Sequence, residues 1–181
     1  MMFRSFILIS IAIVASGCAA TGKNFTEHQS LLNKVGENQS RIYVYRTGES
    51  TLYSGESATV KIDNVKKGKC DYKGFNVFDV PSGNHQLQVN AWDMPGTCTI
   101  ATNFDPQSEH YFEIKPRLTN YVKILNFFNL LPLGNLLPEP LMAAGATGAG
   151  VSATGICGPF SIEEVESNLA LEKIKILNQT Q

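Results

Sequence analysis

Arg41-Ile42-Tyr43-Val44-Tyr45-Arg46 puts its aliphatic residues on one side and its tyrosines on the other when the chain is extended. A period of two is the pattern of a β-strand whose faces meet different surroundings. The period recurs at Ala58, Val60 and Ile62, after which Asp63-Asn64 supplies residues that tolerate a turn. Phe75 to Val80 gives a third strand, closed by Pro81-Ser82-Gly83, where proline sets one backbone angle and glycine permits a positive one. His85, Leu87, Val89 and Ala91 line one face of a fourth, opposite Gln86, Gln88 and Asn90. Cys98, Ile100 and Thr102 mark a fifth strand, Asp105-Pro106-Gln107-Ser108 a turn, and His110, Phe112 and Ile114 a sixth. Strands so spaced, with no helices between them, predict a mainly β chain folded as a small antiparallel β-sandwich over residues 41–121.

On the N-terminal side the chemistry changes. Arg4 precedes an apolar run from Phe6 to Val14, so residues 1–17 have the form of a secretory signal. The run is short of the ~20 apolar residues that cross a bilayer. Ala15-Ser16-Gly17-Cys18 resembles the lipobox at which diacylglycerol is attached to a cysteine before cleavage. Small residues suit the peptidase cleft, and the thiolate of Cys18 is the nucleophile that accepts the lipid. Each buried acyl methylene contributes about 0.8 kcal/mol, so several chains on Cys18 hold a protein to its bilayer. The expected location is therefore the bacterial cell envelope, lipid-anchored. Ala19, where inner-membrane retention uses Asp, resembles the sorting pattern of the outer membrane, facing the periplasm. Residues 18–40, polar apart from Leu31, Leu32 and Val35, are expected to be a tether with a turn of helix.

On the C-terminal side, residues 122–158 form an apolar Gly/Ala-rich insertion. Pro132, Pro138 and Pro140 forbid one long helix there, and the small-residue run from Met142 to Val151 suits close packing on the sandwich, on a partner or on lipid. Residues 159–181 are expected to add a last strand at Pro159 to Ile162 and then a short amphipathic helix carrying Leu169, Ala170, Lys173, Ile174 and Leu177. Ser167 is one candidate cap, and Ser161 with Glu164 is a rival that starts the helix earlier.

A formal charge of −1 from 15 basic and 16 acidic residues, with no basic block, argues against nucleic acid as a partner. Beyond Cys18 the cysteines are Cys70, Cys98 and Cys157. An oxidising compartment favours one disulfide and one leftover thiol. Cys70 with Cys98 is the favoured pair, worth roughly 3.5 kcal/mol by chain entropy, and pairing of either with Cys157 stays open. The cysteines and the scattered His28, His85 and His110 lack metal-ligand spacing, so no metal or other cofactor is expected. Tyr43, Tyr45 and Trp92 are candidates for a sugar-stacking surface, against the alternative of packing beneath a loop or the C-terminal segment. His85 is expected to be structural. Arg46 either pairs with a carboxylate such as Asp79 or is solvated.

Arg41 to Arg46, Ile62-Asp63-Asn64, Val80-Pro81-Ser82-Gly83-Asn84-His85 and His110-Tyr111-Phe112-Glu113-Ile114 resemble, in order and spacing, the bacterial lipoproteins grouped as domain of unknown function 2846. The resemblance covers about residues 40–116 and implies a prealbumin-like or PEGA-like sandwich with no established activity. No nucleophile elbow, zinc helix or phosphate loop occurs, so an enzyme is not expected. The expectation is a binding or scaffolding module for an envelope protein or peptidoglycan. The alternative is a structural accessory lipoprotein whose residues 122–158 contact the membrane or mediate oligomerisation.

Overall fold

The computed structural model describes residues 19–92, 94–117 and 157–181; the signal-like residues, Cys18 and nearly all of the apolar insertion lie outside the described residues. One sheet contains, in spatial order, β8 (Phe160–Val165), β7 (Glu109–Pro116), β1 (Gln39–Arg46), β4 (Gly74–Pro81) and β9 (Asn178–Gln179). The second contains β3 (Val65–Cys70), β2 (Ala58–Ile62), β5 (Gly83–Asn90) and β6 (Cys98–Phe104). The mainly β, two-sheet sandwich is thus the observed architecture. Its pairing departs from a purely antiparallel pattern in two places, because β1 pairs with β7, and β4 with β9, in parallel. The strand β3, within the stretch between Asp63-Asn64 and Phe75, carries polar Lys66, Lys67 and Lys69 and shows no alternation to reveal it.

The two faces of β1 separate two cores. Ile42 and Val44 point between the sheets, where they join Val60, Leu87, Val89, Ile100, Phe112 and Ile114. Tyr43 and Tyr45 point to the outer face of the first sheet, with Phe75 and Tyr111. That face is covered by Phe25 of α1 (Phe25–Gln29) and by Ala170 and Ile174 of α2 (Ser167–Ile174), followed by Leu177. The helix expected near the C-terminus is present, but neither expected cap operates. Its N-cap is Glu166, with no side-chain capping bond, and Ser161 lies inside β8.

Residues 19–30 are packed on the domain, a correction to the expected tether. Ala19 forms a parallel bridge with Tyr72, the Ala20 amide donates to Tyr72 O at 3.1 Å, and the Gly22 amide donates to Gln179 O at 3.0 Å. Phe25 then anchors the arm edge-on to Tyr43 and Phe75, at centroid distances of 5.9 and 5.4 Å.

The disulfide joins Cys98 to Cys157, and Cys70 is a free, buried thiol. This overturns the favoured pairing of Cys70 with Cys98. β3 and β6 occupy opposite edges of the second sheet, with β2 and β5 between them. Three interstrand steps of about 4.8 Å place those cysteines roughly 14 Å apart, twice what a disulfide spans.

The sandwich has two unlike ends. β1 runs from Gln39, opposite Pro81, to Arg46, opposite Gly74. The Gln39 end gathers the Asp63-Asn64 turn, the link from β4 to β5 and the turn between β6 and β7. Ala19, β9, the connection from β5 to β6, the residue after β7 and the residues before β8 are all at the Arg46 end. An eight-residue strand separates the two ends by about 25 Å.

Candidate functional site

At the Gln39 end, Asp63 and Asn64 form the two-residue loop between β2 and β3, with φ of 52° and 65°. Both lie in the left-handed region, which Asp and Asn tolerate better than other non-glycine residues, and a tight hairpin requires it. The turn aims the Asp63 carboxylate at β5. Its Oδ1 accepts from the Gln86 amide at 2.9 Å and its Oδ2 lies 2.6 Å from His85 Nδ1. The Gln86 amide first, and His85 second, hold the Asp63 carboxyl below its usual value. His85 Nε2 is 2.9 Å from Pro81 O. Each ring nitrogen thus has a partner, one on the hairpin loop and one on the main chain before β5. His85 is thereby a strut between the hairpin loop and the β4 to β5 link, the structural role expected for it.

Beside this pair lies a cleft of about 560 Å³, lined by Asn64, Asn84, Gln86, Thr102 and Asn103 as well as Asp63 and His85. A second cleft of about 340 Å³, lined by Lys34, Val35, Arg41, Gln107 and Glu109, opens at the same end. The first is wide open to solvent and presents amide and hydroxyl groups that both donate and accept. In the second cleft, Arg41 makes a bidentate ion pair with Asp79 at 2.7 and 2.8 Å and donates to Asn33 O at 2.8 Å. Asp79 is therefore the partner of Arg41, and not of Arg46.

A second histidine constellation occupies this end. Ser108 Oγ is 2.8 Å from His110 Nε2, and His110 Nδ1 is 2.7 Å from Glu164 Oε1. The order of atoms is that of a nucleophile, a base and an orienting carboxylate. The serine, however, is committed elsewhere. Its hydroxyl and its amide both donate to Asp105 O, which also accepts from Ser40 Oγ. A hydroxyl whose proton points at a carbonyl is not primed for attack, and the Ser108 amide is not free to hold an oxyanion. The group clasps the turn between β6 and β7 to β8. Phe104 lies between the two histidines, 5.6 Å from the His85 ring and 4.8 Å from the His110 ring. His110 and Glu164 come from strands far apart in sequence, and no local spacing advertises their meeting.

Of the candidate aromatic surface, only Trp92 is exposed; Tyr43 and Tyr45 are buried. The platform is not assembled. Tyr43 stacks on Tyr111 at 4.7 Å beneath the helical cover, and burial pushes its hydroxyl up to about 12. Packing beneath the C-terminal segment is the arrangement observed. Arg46 is neither paired with Asp79 nor solvated. It is buried and donates to the carbonyls of Leu52, Tyr53 and Glu56.

Among the described residues no group of three or more His, Cys, Asp or Glu side chains is placed to hold a metal ion. Nor is any described helix long and apolar enough to cross a membrane. No family model, curated protein or solved structure matches the chain.

Proposed function

We propose that the chain is a lipoprotein of the bacterial cell envelope, anchored through Cys18, whose sandwich is a non-enzymatic binding or scaffolding module for an envelope protein or peptidoglycan. The observation that carries the proposal is the division of labour between the two ends of β1. Ala19, next to the proposed lipid-bearing residue, is fixed at the Arg46 end by its bridge to Tyr72. The polar clefts open at the Gln39 end, on the far side of an eight-residue strand. A module attached to a membrane by one end and recognising its ligand with the other requires this polarity. The resemblance to domain of unknown function 2846 belongs to the same proposal, since the small sandwich it implies agrees with the two sheets described above.

The alternative role, a structural accessory whose residues 122–158 contact membrane or a second copy, draws support from one feature. The described stems of that segment, Arg117 and Cys157, stand together at the Arg46 end, with Arg117 Nη1 donating to Cys157 O at 3.3 Å.

Two measurements test the main reading. Radiolabelled palmitate is expected to label the chain in cells and to be lost in Cys18→Ser. A photo-crosslinking residue at Asn103 is expected to capture a polypeptide or a glycan strand, and one at Val65, outside the cleft, is not. Absence of label removes the anchor, and equal capture from both positions removes the clefts.

A further inference from the structure

We infer that the Arg46 end of the sandwich rests directly on the lipid headgroups, with Trp92 and Ile176 seated in the bilayer interface. The inference depends on the proposed lipidation of Cys18 and goes beyond it, because an anchor alone leaves the orientation of the domain open. What removes that freedom is the absence of slack. Consecutive Cα atoms are about 3.8 Å apart, and the residue after Cys18 is already bridged to Tyr72. Ala20 is buried, its amide is bound by Tyr72 O, and its carbonyl accepts from Asn178 Nδ2 at 3.3 Å. A lipid on Cys18 therefore brings the Tyr72 edge within side-chain reach of the headgroups.

The surface at that end has the right chemistry for such a contact. Among the described residues, Trp92 at 80% and Ile176 at 85% are the most exposed large apolar side chains. Trp92 follows β5 in the connection that returns at Cys98, on the Arg46 end. Ile176 lies two residues before Asn178, which pairs with Gly74 at the start of β4 on the same end. Tyr72, half-buried and bridged to Ala19 at this end, directs its hydroxyl to Gly48 O at 3.2 Å. Tryptophan and tyrosine prefer the boundary between headgroups and acyl chains, where an apolar ring and a polar edge are both satisfied. In water an 80% exposed tryptophan gains none of this.

Trp92 is the sole tryptophan of the chain, so its emission reports this contact without any substitution. The lipidated protein, purified from cells and reconstituted into vesicles of phosphatidylethanolamine and phosphatidylglycerol, is expected to emit at shorter wavelength than in detergent-free buffer after lipid removal. Brominated phosphatidylcholine in the vesicles is expected to lower that emission roughly twofold, as for a ring at headgroup depth. In Trp92→Phe combined with Asn103→Trp, the reporter sits at the Gln39 end and is expected to lose no emission. Ten Gly/Ser residues inserted between Cys18 and Ala19 supply a reach of roughly 17 Å and are expected to reduce the quenching at Trp92. A vesicle-bound protein whose Trp92 is untouched by brominated lipid overturns the orientation and leaves the anchor standing. A blue shift without quenching likewise overturns it, pointing to a second copy on Trp92. A chain that carries no lipid when isolated from cells overturns both the anchor and the orientation.

Discussion

Arg46 holds a loop in place with main-chain partners alone. Its Nη2 reaches Leu52 O at 3.0 Å and Tyr53 O at 2.6 Å, its Nη1 reaches Glu56 O, and its guanidinium lies 4.7 Å from the Phe160 ring centroid. One planar fork thereby fixes residues 52–56 against β1 and β8. Arg46→Met keeps most of the volume and removes every donor, so it is expected to cost about 2–4 kcal/mol in urea denaturation, the scale of losing several buried hydrogen bonds. Arg46→Lys retains the charge but not the fork, and its loss is expected to fall between that of Arg46→Met and zero. Cys70 illustrates burial acting on chemistry. The thiol is enclosed beside the carbonyls of Val44 and Gly74, and burial pushes it up to about 12. Only the thiolate reacts with maleimides. The native protein is therefore expected to leave Cys70 unlabelled at pH 8, and labelling in guanidinium is expected to add one equivalent.

At the scale of elements, the hairpin of β2 and β3 and the disulfide at β6 make separate predictions. The Asp63 carboxylate is favoured in its charged form by the Gln86 amide and by His85. A carboxyl lowered on folding contributes stability above its ordinary value and loses it as pH falls through the lowered one. Stability is thus expected to decline below about pH 4, and Asp63→Asn is expected to flatten that decline in pH-dependent urea titrations while leaving the neutral range less stable. The Cys98–Cys157 bond closes an interval of 59 residues. On the chain-entropy model its removal costs about 4 kcal/mol, so a Cys98→Ser, Cys157→Ser protein is expected to unfold at lower denaturant, with a steeper slope because its unfolded chain is less compact.

At the scale of the whole molecule, the N-terminal arm connects the proposed anchor to the outer core. Phe25 is the residue through which it does so, packed against Tyr43 and Phe75. Phe25→Ala is expected to cost about 3–5 kcal/mol if the arm and the sandwich unfold together. The alternative outcome, fast hydrogen exchange confined to the amides of Ala20, Gly22 and Gln179, would mean that the arm opens alone and can act as a spacer. Unlike those three, the amides of β1 belong to the central strand of the first sheet and are expected to exchange slowest in either case.

Local periodicity alone was enough to place β1, β2, β4, β5, β6 and β7, because alternation records which side chains share a face whatever lies opposite. It also divided Ile42 and Val44 from Tyr43 and Tyr45. It could not say what covers the tyrosine face, since Phe25 and Ile174 arrive from opposite ends of the chain. For the same reason sequence distance does not decide the cysteine pairing: loop entropy depends on it, whereas a disulfide depends on which strands are neighbours, and sheet order puts Cys70 and Cys98 on opposite edges. β3 is silent in the sequence because an edge strand rich in lysine buries little and so carries no apolar pattern. The His110 to Glu164 contact and the clefts at the Gln39 end exist only once the β7 and β8 pairing and the β5 and β6 pairing are made. Each residue's intrinsic preference is written in its own neighbourhood, but its partner is chosen by the packing of the entire chain.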